Sequence, residues 1–174
     1  MRVVTGRFRG RTLHSPRGRT TRPTSDRVRE ALFQVLGPLD GARVLDLYAG
    51  SGALGIEALS RGAASATFVD SDPRAVAAIR RNLAAVGVDA PVHRHDALGF
   101  LRVARGPFDL VFADPPYSSA ARLGGPLSER LPALLSEDAR VVIESDKRTP
   151  LELDLPLADE RSFGDTRIAI HRVA

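Results

Sequence analysis

The sequence contains no cysteine among its 174 residues, and it has only four histidines. Without cysteine the chain can form neither a disulfide nor a thiolate metal site, and a cysteine nucleophile is excluded. The histidines lack the spacing, relative to one another and to carboxylates, that is typical of metal ligands. We therefore assign no metal ion to this chain. The four histidines are His14, His93, His95 and His171.

Long apolar runs are also missing. No stretch approaches the ~18 consecutive apolar residues of a membrane-spanning helix, and the opening MRVVTGRFRG lacks the apolar core of a signal peptide. We expect a cytoplasmic protein without membrane contact. A length of 174 residues, 43% of them hydrophobic, predicts a single domain. Within it we expect a basic N-terminal extension (1–21) followed by a catalytic core (22–174).

Lysine is scarce, since Lys147 is the only lysine among 25 basic residues. The net charge of the chain is +4, but residues 1–30 carry nine arginines against Asp26 and Glu30, a local balance of +7. A positive field concentrated on one short segment is typical of proteins that contact a phosphate backbone. A solvated basic tail would have the same composition, so charge alone leaves both interpretations open.

The N-terminal part of the chain predicts a small β element and one helix. Residues 2–15 have the apolar positions and turn glycines of two or three short strands. The following apolar residues recur with helical spacing from Val28 to Leu36. Thr24 or Ser25 can cap this helix, and Gly37 ends it.

Strand and helix patterns alternate from residue 43 onwards. Short connections between alternating elements predict an α/β fold with a mostly parallel, doubly wound sheet. The chain then changes character, with a helical stretch up to Leu135 that Pro126 and Pro132 should break. We predict strands at 43–47, 66–70, 91–95, 108–114, 140–145 and 166–172, and helices that open at Ala53, Pro73 and Ala97.

The segment VLDLYAGSGALG (44–55) ends a strand and opens a helix with closely spaced glycines. This pattern is typical of dinucleotide and S-adenosylmethionine sites, although a tight structural turn shares it. Asp46 favours S-adenosylmethionine, because its carboxylate would repel a pyrophosphate but attract the ammonium of a methionine moiety. Asp70 ends the next strand, where an acid can take the two hydroxyls of a ribose. Asp96 either accepts the adenine amino group or caps a helix. The cofactor-binding candidates are Asp46, Tyr48, Gly50, Ser51, Gly52, Asp70 and Asp96.

The tetrapeptide Asp114-Pro115-Pro116-Tyr117 follows the fourth predicted strand. Ligands of open α/β sheets bind at the carboxyl ends of strands, so the tetrapeptide and the glycine loop should face one crevice. Two prolines remove two backbone donors and leave the Asp114 carboxylate and the Pro115 carbonyl as acceptors. Tyr117 supplies a flat face. These groups can hold a planar base by stacking while two acceptors grip its exocyclic amino group; a chance proline turn is the structural alternative.

This tetrapeptide and the glycine loop together resemble the amino-methyltransferases of Rossmann-like fold. Three stretches, MRVVTGRFRGRTL, RPTSDRVREALF and DLYAGSGALGIEALSRGA, are similar to the RsmD family of 16S rRNA (guanine-N2)-methyltransferases. The resemblance covers essentially the whole chain, but residues 118–132, rich in small residues and proline, depart from it. It implies that Asp46 and the Gly50 loop bind the methionine end of S-adenosylmethionine, and that Asp70 binds the ribose. Asp96 would lie near the adenine, and the tetrapeptide would hold the target guanine.

The resemblance implies methyl transfer from S-adenosylmethionine to guanine N2 of 16S rRNA, within the 30S subunit or a late assembly intermediate, by a monomer. Adenine-N6 methylation of DNA uses the same tetrapeptide, but few residues remain outside the core for a separate target-recognition domain. A non-catalytic RNA-binding assembly factor is opposed by the intact tetrapeptide and by Asp46, and Asp46 also opposes a nicotinamide oxidoreductase. The predicted catalytic residues are Asp114, Pro115, Pro116 and Tyr117, and the predicted RNA contacts are Arg7, Arg9, Arg11, Arg17, Arg19 and Arg22.

Overall fold

The computed structural model describes residues 1–16 and 25–173, which form a seven-stranded sheet with helices packed on both faces. Elements are numbered below in chain order. The helices are α1 (Asp26–Leu36), α2 (Ala53–Ser60), α3 (Pro73–Val86), α4 (Ala97–Leu101) and α5 (Tyr117–Arg130), with a 3-10 turn at Pro132–Leu134. The strands are β1 (Arg43–Leu47), β2 (Ser65–Asp70), β3 (Val92–Arg94), β4 (Phe108–Ala113), β5 (Leu135–Asp146), β6 (Leu157–Phe163) and β7 (Thr166–Arg172).

The strand order is β3-β2-β1-β4-β5-β7-β6. Strands β1 to β5 pair in parallel, whereas β7 is antiparallel to both of its neighbours. The chain winds outward from β1 to β3 and then returns to place β4 on the other side of β1. The direction of winding therefore reverses between β1 and β4, the place where open α/β sheets bind ligands. The predicted mostly parallel, doubly wound sheet is confirmed.

Successive residues of the central strands enter two hydrophobic cores, one on each face of the sheet. Phe68 and Phe112 belong to the core shared with α1, α2 and α3, whereas Val69 and Val111 belong to the core shared with α4 and α5. Burial on both faces explains why these strands read as continuous apolar runs. Asp46 pairs with Phe68 and Phe112 in the sheet, and so lies on the face covered by α1 to α3.

Helix ends follow the capping signals of the sequence. Ser25 caps α1, and its hydroxyl accepts a hydrogen bond from the Val28 amide at 3.3 Å. Asp72 caps α3, where Pro73 occupies the first helical position and needs no partner for an amide. Gly87 ends this helix in the left-handed conformation, with φ of 71°. The predicted cap of α1 at Ser25 and the predicted opening of α3 at Pro73 are confirmed.

Residues 1–16, called the N-terminal arm below, contain one antiparallel bridge, between Arg2 and Thr12. The prediction of two or three strands here was wrong, because α2 takes up backbone donors of the arm that a strand partner would need. Glu57 is fully buried, and its carboxylate accepts hydrogen bonds from two consecutive arm amides. Ser60 accepts hydrogen bonds from two further arm amides. These hydrogen bonds are Val4 N to Glu57 Oε2 (2.7 Å), Thr5 N to Glu57 Oε1 (3.0 Å), Phe8 N to Ser60 Oγ (3.0 Å) and Arg7 N to Ser60 O (2.9 Å).

The N-terminal arm is part of the packed interior. Val3 and Leu13 are each only 2% exposed and belong to the core with α1 to α3. Gly6 brings the arm backbone against α2 with φ of 85°, and a Cβ atom there would lie 1.8 Å from the Ser60 carbonyl oxygen. Only glycine permits this approach. Residues 1–16, the described part of the expected extension (1–21), therefore pack against the core.

The C-terminal third departs most from the sequence-based expectations. Helix α5 runs through Pro126 without a break, so the predicted interruption there was wrong. Leu123 and Leu127 are buried on either side of the proline, and burying two leucines, about 1.5–3 kcal/mol each, can offset its cost of ~3 kcal/mol. The chain does leave the α-helix at Pro132, as predicted. Strand β6, which is polar and lies at the sheet edge, was not predicted because it lacks apolar alternation.

Candidate active site

Acidic residues gather at the carboxyl ends of the parallel strands, on either side of the reversal between β1 and β4. Asp70 is the last residue of β2, and Asp114 follows the last residue of β4. Since Ala113 pairs with Ile143, Asp114 lies beside Glu144 of β5. Alternation along the strands places these acids on the face of Phe68 and Phe112, the face that carries the N-terminal arm. Asp46 lies on the same face, below them.

Asp46 is the buried acid of the site, with 2% exposure. Its Oδ2 atom accepts a hydrogen bond from the Gly55 amide at 3.0 Å, which ties the end of β1 to the first turn of α2. Burial raises the pKa of Asp46 to about 8; the Gly55 hydrogen bond opposes the rise, and the charge of Asp70 adds to it. The carboxyl is thus mainly neutral at pH 7 unless a cation is nearby. A cationic ligand group at this point would favour its ionised form.

The turn from β1 into α2 has an unusual backbone. Tyr48, Gly50 and Gly52 have φ angles of 57°, 58° and 77°, the left-handed region that side chains other than hydrogen disfavour. Gly50 donates its amide to Asp70 Oδ2 at 2.9 Å, and Asp72 donates its amide to Oδ1 at 2.9 Å. The residue predicted to bind ribose therefore also fixes the glycine loop.

Tyr48 lies within reach of the charge of Asp96, the residue before α4. Burial raises the pKa of Tyr48 to about 12, and the nearby charge of Asp96 contributes. Asp96 caps α4 by accepting the Gly99 amide at 2.8 Å. Of the two roles open to Asp96 from sequence, capping is the one that the contacts show. Tyr48 is a non-glycine residue held in a strained conformation, a feature that clusters at ligand sites.

The tetrapeptide forms the junction of β4 and α5. Pro115 is buried, Pro116 is the N-cap of the helix, and Tyr117 is its first residue. The Tyr117 side chain is 49% exposed, so part of its ring is available for stacking. Burial of the rest of the side chain raises the pKa of Tyr117, and the charges of Glu144 and Asp114 add to this rise. A hydrogen bond with Thr166 opposes it.

Glu144 is the residue that sequence reasoning missed. It is 7% exposed, it lies next to Asp114 in the sheet, and its charge acts on Tyr117. The signal was present in the sequence, because RVVIES ends an apolar strand with an acid, as β1 and β2 do. No recognisable motif in β5 distinguishes this acid from an ordinary strand residue.

The basic residues divide between described and undescribed parts of the chain. Arg7, Arg9 and Arg11 are exposed on the N-terminal arm, where Arg7 is bound at the end of α2. Eight helical residues place that end about 12 Å from the glycine loop. Arg7 therefore lies away from the carboxyl ends of the strands. Arg17, Arg19 and Arg22 lie outside the described residues.

Among residues 1–16 and 25–173, no group of three or more histidines and acids is arranged to hold a metal ion. None of the helices described there combines the length and the apolar character needed to span a membrane.

Comparison with known proteins supports the sequence resemblance. The family model described as "Conserved hypothetical protein 95" matches residues 1–172. The chain is 38% identical over 190 residues to "Putative rRNA methyltransferase YlbH" of Bacillus subtilis, covering 99% of this chain and 98% of that protein. It is 40% identical over 153 residues to "Ribosomal RNA small subunit methyltransferase D" of Escherichia coli K12, covering 84% of this chain and 75% of that protein.

A solved structure agrees with the fold. "Putative methyltransferase yhhF from Escherichia coli" superposes with a TM-score of 0.84 at 34% identity, and the match covers 99% of this chain and 97% of that chain. The Rossmann-like methyltransferase fold predicted from sequence is confirmed.

Proposed function

Because this chain belongs to the family described as "Conserved hypothetical protein 95", which includes the RsmD proteins, we propose that it methylates ribosomal RNA with S-adenosylmethionine. Its relatives of similar length are named as rRNA methyltransferases. The finer proposal is transfer to the exocyclic N2 of a guanine in 16S rRNA, by a cytoplasmic monomer that acts on the 30S subunit or a late assembly intermediate.

The acidic groups at the ends of β1 and β2 suit S-adenosylmethionine. When bound, this cofactor supplies an electrophilic methyl group on a sulfonium. Asp46, buried and mainly neutral, would ionise beside the methionine ammonium, and so would bind a cation far better than a phosphate. Asp70 accepts the amides of Gly50 and Asp72 at the end of β2, the position from which an acid can also accept the hydroxyls of a ribose. Tyr48 and Asp96 would border the adenine.

The observation that carries the catalytic proposal is the position of Asp114 and Pro115 at the end of β4, directly beside the β1 loop. The amino group of guanine is a poor nucleophile, because its lone pair is delocalised into the ring. Hydrogen bonds from its two protons to the Asp114 carboxylate and the Pro115 carbonyl would orient the lone pair and stabilise positive charge developing on N2. After transfer the nitrogen is strongly acidic, so Asp114 or water can take the proton.

Tyr117 and Glu144 would select the base. The exposed part of the Tyr117 ring can stack on a flipped base, and RNA loops present such bases at low cost. Guanine carries N1–H beside its amino group, whereas adenine carries an acceptor at N1. A carboxylate at Glu144, next to Asp114, would accept N1–H of guanine and repel N1 of adenine. Pro116 would hold the start of α5 in place.

The N-terminal arm would dock the RNA. Arg7, Arg9 and Arg11 are exposed on an arm whose backbone is hydrogen-bonded to α2, and their guanidinium groups could contact phosphates and so position the RNA. We propose the same role for Arg17, Arg19 and Arg22, which follow in the sequence.

A transfer assay with methyl-labelled cofactor tests the proposal. Naked 16S rRNA and hypomethylated 30S subunits are offered in parallel, and the product nucleoside is identified by mass spectrometry. N2-methylguanosine supports the proposal, whereas N6-methyladenosine would reassign the site to adenine. Binding of both substrates without any methylated product would favour the non-catalytic assembly factor.

A further inference from the structure

Asn82 of α3 holds the N-terminal arm and the glycine loop with one side-chain amide. It is fully buried. Its Nδ2 atom donates to the Ser51 carbonyl at 2.8 Å and to the His14 carbonyl at 2.9 Å. Its Oδ1 atom accepts the His14 amide at 2.8 Å. The Asn82 amide thus donates one proton to the glycine loop and the other to the N-terminal arm. Both segments are therefore bonded to the same side chain.

A second contact links the same two segments. The Met1 sulfur lies 3.6 Å from the Ser51 hydroxyl and 3.4 Å from the Arg29 guanidinium. Arg29 is fully buried and binds the Arg2 carbonyl at 2.5 Å and Asp26 at 2.6 Å. The arm therefore contacts the loop at its first residue as well as at His14.

Ser51 lies between two residues whose backbones define the loop. Gly50 is fixed by Asp70 on one side, and Gly52 donates its amide to Ala49 at 2.7 Å on the other. A displacement of Asn82 would rotate the Ser51 peptide and with it the amides on either side. Because the interior is close-packed, a shift of the arm cannot be absorbed without moving this carbonyl.

We propose that Asn82 is a positioning residue that couples RNA docking on the N-terminal arm to cofactor binding at the glycine loop. The inference rests on the proposed function, since it requires the arm to bind RNA. Phosphate contacts at Arg7, Arg9 and Arg11 displace the arm slightly, and Asn82 passes the displacement of His14 to the Ser51 carbonyl. Coupling between two ligands is reciprocal, so the cofactor must change RNA affinity by the factor by which RNA changes cofactor affinity.

The test measures the affinity of the full-length protein for hypomethylated 30S subunits with and without saturating S-adenosylhomocysteine. For the wild-type protein we expect the two dissociation constants to differ by about fivefold or more. H14P removes the amide that Asn82 accepts but leaves Asn82 and the loop intact, and it should bring the ratio close to one. H14A keeps that amide and loses only an exposed side chain, so its ratio should match the wild type.

N82A provides the same test from the other side of the contact, with circular dichroism and thermal unfolding to establish that each variant is folded. A wild-type ratio of one, or an unchanged ratio in folded H14P, would overturn the coupling. Failure of the docking proposal has a different signature. If R7A/R9A/R11A binds 30S subunits as tightly as the wild type and with the same salt dependence, the arm does not dock RNA.

Discussion

The Asp46 carboxylate and the Gly55 amide form a buried hydrogen bond of 3.0 Å between β1 and α2. A Cβ atom at Gly55 would lie 2.4 Å from the Phe68 ring and 3.2 Å from Asp46 Oδ2, so glycine is what allows the helix to approach this acid. The glycine pattern of the sequence thus serves close helix packing at Gly55 and positive φ angles at Gly50 and Gly52.

Asp46 should make stability depend on pH. Its pKa is about 8 in the folded protein, against 3.8 for an ordinary aspartate, so the folded state holds a proton that the unfolded chain has lost. This contribution is fully present below pH ~4 and is lost as pH rises to ~8. We expect D46N, measured by denaturant unfolding without cofactor, to become more stable relative to the wild type across that range. Parallel stability curves would contradict the raised pKa.

Asp70 should affect cofactor binding in two ways. D70A removes the proposed acceptor for ribose and also releases the Gly50 and Asp72 amides. D70N keeps one carbonyl oxygen as an acceptor in the same position. We expect calorimetry with S-adenosylhomocysteine to show a larger loss of affinity for D70A than for D70N, with both variants folded. Wild-type affinity in D70A would remove Asp70 from the cofactor site.

Asp114 should act on transfer rather than on cofactor binding. D114A is expected to lower the rate constant of transfer by ~100-fold or more, because it removes a preorganised acceptor for the reacting amine. D114N retains an acceptor oxygen and should keep measurable activity. S-adenosylhomocysteine should bind both variants with similar affinity. A D114A enzyme with near wild-type turnover would rule out the proposed mechanism.

Tyr117 should contribute mainly through its ring. Y117A is expected to lose ~1–3 kcal/mol of base stacking, whereas Y117F keeps the ring and loses only the hydroxyl and its contact with Thr166. Steady-state kinetics on 30S subunits can separate the two variants. Equal losses in both would mean that the hydroxyl, and not stacking, is required.

Glu144 should determine the choice of purine. A substrate with 2-aminopurine at the mapped target keeps the reacting amine but has an acceptor at N1 instead of a donor. The wild type should strongly prefer guanine, and E144Q, whose amide can donate to N1, should lower that preference by roughly tenfold. An unchanged preference in a folded, active E144Q would exclude Glu144 from base recognition while leaving the assignment of the reaction intact.

The arm arginines should give RNA binding its salt dependence. Each lost phosphate contact lowers the slope of log affinity against log salt by about 0.7–0.9, so R7A/R9A/R11A should bind 30S subunits with a markedly shallower slope. Arg102 and Arg105 are also exposed but follow α4, in the layer on the opposite face of the sheet. The double variant R102A/R105A is the matched control and should keep the wild-type slope.

The sequence predicted those parts of the molecule whose structure depends on local signals. Caps, glycines and apolar periodicity located β1, α2 and α3, together with the acids at their ends. Prediction from the sequence failed where tertiary contacts determine the structure. The N-terminal arm does not form its predicted strands because Glu57, distant in sequence, takes its amides. Glu144 acquires its significance only from its sheet neighbour Asp114, and no local pattern reveals that pairing.

The burial of Val3 and Leu13 has a consequence for the order in which the chain is made. The arm leaves a ribosome before the residues that it contacts, which lie 52 to 68 residues further along, at Glu57, Ser60 and Asn82. Its two apolar side chains stay solvated until α3 has been synthesised, and contacts of such long range form late in folding. The segment that we expect to recognise RNA therefore packs only after α3 has been made, although it precedes α3 in the chain.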